Sequence, residues 1–314
     1  MRERTVGRSG LVVGEIGLGT LTWGRDTDSD QAAQQLRILL EAGGNLLDTS
    51  PAFGNGAAES LIGTFLNGTI SRSDVVICTR AGFIGRGAHA RFGAGRGSIL
   101  DSVAASLERL GTPYIDVLVV AAPDPVTPDE ETARTLGALV ESGKVRYIGL
   151  QAYPAWRAAA IQQFLRDRAL PALTALETEY SLVNRHCERE YLPMANYGGL
   201  GVFATSPLGR GVLTGKYRHS IPPTSRAASE HLASFVEPYL DERARRIVEA
   251  VARAADGLAI AASDVAIAWA LARPAISSVL VGARTAAQLT ALLSGAMSTD
   301  LPRPVIDALD DVSE

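Results

Sequence analysis

The chain has almost no lysine. Lys144 and Lys216 are the only two in 314 residues, so arginine carries nearly all the positive charge and a Schiff-base lysine has only those two positions to come from. Cysteine is as scarce: Cys78 lies in the apolar run DVVICT and Cys187 in NRHCERE, with no CxxC spacing. That excludes a disulfide framework and a cysteine zinc site, and it fits a reducing cytoplasm. None of the four histidines stands at ligand spacing from another, so no metal is predicted. No GxSxG elbow is present, which leaves serine hydrolysis without support. No stretch approaches the roughly 18 apolar residues of a membrane span, and MRERTVGRSGLVVGEIG has no long apolar segment of the export type. A net charge of −4 supplies no basic field for nucleic acid or an anionic membrane. A small-molecule ligand is the partner left to expect.

What is present is a rhythm. Short apolar runs of β type alternate with longer Ala/Leu/Arg segments of helical period, the pattern of repeated βα units. Strands are expected at 15–19, 45–48, 74–79, 115–120, 145–150, 173–177, 201–205 and 277–282. Helices are expected near 29–42, 57–66, 98–110, 129–142, 156–166, 187–197, 241–255 with 263–272, and 285–294. Ser29-Asp30 opens the first, Pro128-Asp129-Glu130-Glu131 the fourth, and Ser142-Gly143 closes the fourth. No linker or charge block divides the chain, so 1–314 reads as one domain, an α/β (β/α)8 TIM barrel. A doubly wound sheet is the runner-up, but the first strand leads into GLGTLTWG and not into a GxGxxG that opens a helix. RTVGRSGLVV reads as an N-terminal β-hairpin plugging the barrel floor. In such a barrel the chemistry sits on loops leaving the C-terminal ends of the strands. Lys144, in the turn before the fifth strand, stands at the other end, and Lys216 lies in a segment suited to phosphate, so Schiff-base chemistry is excluded.

On GLGTLTWG (17–24), LLDTSPAFGNGAAESLIG (46–63), LERLGTPYIDVL (107–118), LVESGKVRYIGL (139–150), ETEYSLVNR (177–185), SPLGRGVLTGKY (206–217) and AIAWALARPAISSVLVGARTAAQL (266–289), the chain resembles the aldo-keto reductases. The resemblance implies carbonyl reduction with NADPH through an Asp, Tyr, Lys, His tetrad, in which Tyr delivers the proton, Lys and Asp tune it and His orients substrate. Position by position, Asp matches Asp48, but the Tyr position is Phe53, the Lys position Arg80 and the His position Ala121. A phenyl ring has no proton to give, and alanine has no hydrogen-bonding group. General acids contribute on the order of 10²–10⁴-fold, so conventional carbonyl reduction should be slow. Arg80 keeps a positive charge beside Asp48, and an Asp48–Arg80 ion pair is expected.

The implied nicotinamide grips are altered too: Ser-Asn and Gln become Gln151-Ala152 and Glu177, and the stacking aromatic becomes Thr205. The phosphate end is better kept, with Ser206, Leu208, Gly209 and Lys216 in one segment and Gly282, Arg284, Thr285 and Gln288 in the other, although the adenine-contacting Glu-Asn is Ala291-Leu292. NADP(H) is therefore a possible cofactor. Asp48, Arg80, Glu177 and Tyr153 are the catalytic candidates, with Trp23, Phe53, Ala121, Gln151 and His89 around the substrate. The loop GFIGRGAHARFGAGRG (82–97) is a candidate lid for an anionic substrate. Three functions follow, in this order. One is redox-neutral acid–base chemistry (cyclisation, elimination or isomerisation) on Asp48 and Glu177, with Arg80 as anion stabiliser. Another is an NADPH-dependent oxidoreductase with a substitute proton donor. The third is a ligand-binding or regulatory barrel without catalysis.

Overall fold

Alternation along each strand decides which side chains enter the barrel, because successive residues point to opposite faces. In the computed structural model, which describes residues 1–68, 70–84, 91–223, 225–230 and 232–314, eight parallel strands close in the order β10-β11-β12-β3-β4-β5-β8-β9. They are β3 (Ile16–Gly19), β4 (Leu46–Asp48), β5 (Val76–Ala81), β8 (Ile115–Val120), β9 (Val145–Gln151), β10 (Leu173–Glu179), β11 (Gly201–Thr205) and β12 (Ile276–Val281). β1 (Glu3–Thr5) and β2 (Val12–Gly14) form an antiparallel hairpin, and β6 (Phe83–Ile84) and β7 (Arg91–Phe92) form another beyond the end of β5.

The barrel interior is filled by Leu46, Cys78, Val117, Val119, Ala175, Phe203 and Leu280, and Val6, Leu11 and Val13 of the first hairpin join the same cluster from below. The expected floor plug is thus present. Gly7 at its turn has φ +58°, and a Cβ there would lie 2.3 Å from the carbonyl oxygen of Gly199; only glycine permits that approach. Outward-facing Leu18, Leu47, Ile77, Leu118, Ile148 and Leu176 meet the helical layer in a second, larger cluster.

That layer comprises α1 (Ser29–Glu41), α2 (Ala57–Leu66), α3 (Arg96–Leu110), α4 (Asp129–Glu141), α5 (Ala155–Asp167), α6 (Tyr191–Gly198), the single turn α7 (Ala233–Val236), α8 (Glu242–Leu258), α9 (Ala262–Leu271), α10 (Ala286–Ala296) and α11 (Arg303–Ser313). Their ends follow local chemistry. The Asp28 carboxylate accepts from Gln31 N at the start of α1, Asp241 accepts from Ala244 N at the start of α8, and Gly111 closes α3 in the left-handed conformation. Two expectations shift. The helix expected from 187 begins at Tyr191, because His186–Glu188 forms a separate 3₁₀ turn in which Arg185 and the Tyr180 hydroxyl hold Glu188. α11 was not foreseen; it follows Pro302 and is fastened by Asp310, which accepts from Trp269 Nε1 at 2.8 Å. Among the described residues, no single helix is long and apolar enough to cross a membrane.

Candidate active site at the barrel mouth

The interior alternation also selects the residues of the mouth. Two positions beyond Leu46, Cys78, Val119, Gly149, Ala175 and Phe203 stand Asp48, Arg80, Ala121, Gln151, Glu177 and Thr205. Register brings them level: Asp48 pairs with Cys78, Arg80 with Val119, and Glu177 with both Gln151 and Phe203. All six line one cavity of about 550 Å³, together with Phe53 and Ser50 from the loop after β4.

Arg80 is the centre of the arrangement. Its Nη1 lies 2.9 Å from Asp48 Oδ1 and donates to Thr49 O at 2.5 Å, its Nη2 donates to Glu177 Oε1, and its Nε donates to Gln151 Oε1 at 3.2 Å. Gln151 Nε2 donates to Glu177 Oε1 at 2.9 Å. The expected Asp48–Arg80 pair exists, and Glu177 shares it. Glu177 is fully buried and its Oε2 has no hydrogen-bond partner among the described residues. Burial is the largest influence on its carboxyl and pushes its pKa up to about 7; Arg80 opposes the rise and the Asp48 charge adds to it. Burial raises Asp48 as well, against Arg80. Burial works against the Arg80 charge, but Asp48 and Glu177 outweigh it and the guanidinium stays protonated. Asp48, Cys78 and Glu177 offer ligand atoms within 4.8 Å of one another, a set able to hold a cation. The Arg80 guanidinium already places a positive charge between the two carboxylates.

Two expected residues stand elsewhere. Ala152 has φ +53°, which breaks the alternation after Gln151, so Tyr153 does not line this cavity. The Tyr153 ring lies near Arg157 on α5, 5.7 Å from its guanidinium to the ring centre, and burial pushes its phenol far above the neutral range, with Asp129 adding to the rise. It is corrected out of the catalytic set. Trp23 likewise is not a pocket residue: it is fully buried, edge-on to Phe65, and its Nε1 donates to Gln35 Oε1 at 2.9 Å. Ala121 and Phe53 are at the cavity as expected. His89 and most of the tip of the 82–97 loop lie outside the described residues.

Beside the mouth runs a groove of about 340 Å³ lined by Ser206, Leu208, Lys216, Gly282, Arg284 and Gln288. Gly209 starts a 3₁₀ segment at its edge, and Thr285 caps α10 by accepting from Gln288 N. Sequence reading missed Arg226, which lines both groove and mouth. It sits in a polar connection with no motif to mark it; its nearness to Lys216 and Arg284 emerges only on folding. Among the described residues lining this groove there is no carboxylate. Burial, then neighbouring Arg284, lowers the Arg226 pKa, and Lys216 is lowered chiefly by burial with Arg226 and Arg284 adding to it. Asp26 lies close enough to favour the Arg226 charge, and Lys216, Arg226 and Arg284 together give this groove a positive lining suited to a polyanion.

The family model for the aldo/keto reductases matches residues 15–314. This chain belongs to the aldo/keto reductase family. Among similar proteins, a probable voltage-gated potassium channel subunit beta of Oryza sativa is 32% identical over 99% of this chain and 96% of its own length. One of the same name from Arabidopsis thaliana is 33% identical over 100% and 96%. A putative voltage-gated potassium channel subunit beta of Schizosaccharomyces pombe is 30% identical over 98% and 92%. This member of the family carries Phe53, Arg80 and Ala121 at the positions where the family resemblance implies Tyr, Lys and His.

Proposed function

We propose that this aldo/keto reductase binds NADP(H) in the groove and acts as an oxidoreductase at the mouth, with the Glu177 carboxyl in place of the absent phenol. The observation that carries the reading is continuity: Ser206, Arg226, Leu280 and Gly282 line both groove and mouth. When bound, the nicotinamide supplies or accepts hydride. Lys216, Arg226 and Arg284 would hold the phosphate charges, and their gathering along one groove fits that group. Arg80 and Gln151 both engage Glu177 Oε1, which leaves Oε2, buried and without a hydrogen-bond partner among the described residues, as the oxygen free to carry a proton. A carboxyl that titrates near neutrality has both forms available at working pH. Arg80 and Gln151 fix its position, and Arg80 offsets its charge.

A second reading is redox-neutral cyclisation, elimination or isomerisation on the same carboxyls. It is favoured by the two buried acids sharing one guanidinium. A cavity of about 550 Å³ speaks against a filled, ligandless barrel. The test is titration with NADPH followed by nicotinamide fluorescence. Saturable binding that Arg226→Ala weakens supports the oxidoreductase, and no binding at millimolar NADPH ends it. Turnover of a substrate without nucleotide consumption would favour the second reading.

A further inference from the structure

The floor of the mouth is polar, but it has little left to offer an anion. Arg80 already donates to three acceptors, in Thr49, Glu177 and Gln151, out of the five N–H directions a guanidinium has, and is ion-paired with Asp48 as well. The carboxyls beside it would repel a second anion. The role of anion stabiliser expected of Arg80 from sequence is therefore occupied from within. Arg226 reaches the same cavity only from the groove side, beside Lys216 and Arg284.

The walls are phenyl rings. Phe83 and Phe92 are cross-strand partners in the β6–β7 hairpin, with ring centres 5.7 Å apart, and both line the cavity. Phe235 lines the cavity from the helical turn α7 and is held there by Arg210, whose Nη1 donates to Phe235 O at 2.6 Å and whose guanidinium lies 3.9 Å from the ring centre. Arg210 is itself fixed by two bonds to Glu179, at 3.0 and 2.7 Å. Phe53 lies below, 5.4 Å from the Arg80 guanidinium. Phe92 is 52% exposed, a large apolar face turned to water beside an open cavity, and rings with fixed positions favour a planar partner.

We infer that the mouth takes an uncharged, planar aromatic ligand with one polar end, of the aryl ketone kind, its ring between the Phe83–Phe92 pair and Phe235 and its oxygen toward Glu177 and Gln151. This rests on the mouth being the reactive site of the proposed function, but not on cofactor binding. The test is calorimetric titration with 2-acetonaphthone, 2-naphthoate and D-glyceraldehyde, on the protein alone and again with NADP⁺, while NADPH affinity is measured separately by fluorescence. The neutral ketone should bind at least tenfold tighter than the naphthoate or the triose. Phe92→Ala should weaken it roughly tenfold and Phe92→Tyr by no more than about twofold; both should leave NADPH affinity unchanged. The inference is overturned if 2-acetonaphthone does not bind, if naphthoate or glyceraldehyde binds as tightly, or if Phe92→Ala has no effect. Loss of NADPH binding alone would strike the oxidoreductase reading and leave this one standing.

Discussion

Replacing Glu177 by glutamine removes one titrating proton from the centre of the barrel while keeping the shape of the side chain. The wild-type carboxyl is raised from its ordinary 4.5 to about 7 by burial, which Arg80 only partly offsets. A rise of that size corresponds to about 3 kcal/mol. Between those two values the folded protein holds a proton that the unfolded chain has released. Stability therefore falls as pH rises through this window, and the full cost is present above the folded value. Glutamine has no proton to lose. Urea unfolding of both proteins from pH 5 to 8.5 should show Glu177→Gln gaining on wild type by about 2.5 kcal/mol across the range, most steeply near pH 6, and then levelling. Parallel stability curves would refute the reasoning. A wild type that gains on the variant as pH rises would mean that the Arg80 ion pair outweighs the cost of burying the charge.

Other consequences are checked as directly. Lys216→Ala and Arg226→Ala should each weaken NADPH binding about 10- to 100-fold, the range for losing a charged hydrogen bond, and a fluorescence titration with unchanged affinity would remove the groove from the cofactor site. The triple substitution Phe53→Tyr, Arg80→Lys, Ala121→His restores the groups the family resemblance implies; NADPH-dependent reduction of a simple aldehyde, followed by absorbance, should rise by about 10²–10⁴-fold over wild type. Gly7→Ala places a Cβ against the Gly199 carbonyl at a left-handed φ and should cost about 1–3 kcal/mol or more, read as a lowered thermal midpoint; an unchanged midpoint would show that the floor hairpin adapts freely.

The barrel was legible because its strands are short apolar runs, each bounded by a turn: 115–120 and 201–205 agree with Ile115–Val120 and Gly201–Thr205 to the residue. At the mouth, Asp48, Arg80 and Glu177 were placed by the family resemblance, and the structure brings them together because regular alternation continues to the strand ends. It failed one step past such an end. Ala152 takes a left-handed conformation that no residue type announced, and so Tyr153 turns away from the cavity. Trp23 followed a motif, but its indole N–H is satisfied by Gln35 inside the core, and that choice is made by packing. Arg226 and the Arg210–Phe235 contact join segments whose nearness depends on the path of the long connection after β11. α11 lacks the βα rhythm that identified the other helices, since it follows the last repeat.

The residues common to groove and mouth bear on how two ligands would feel each other. Whatever settles in one compartment becomes part of the wall of the other through Arg226, Ser206, Leu280 and Gly282. Occupancy on one side then changes the desolvation and the side-chain freedom met on the other. Any tightening of substrate by nucleotide must be returned, factor for factor, as tightening of nucleotide by substrate. Arg226 is the side chain through which that exchange would pass, so its replacement should uncouple the two affinities as well as lower one of them.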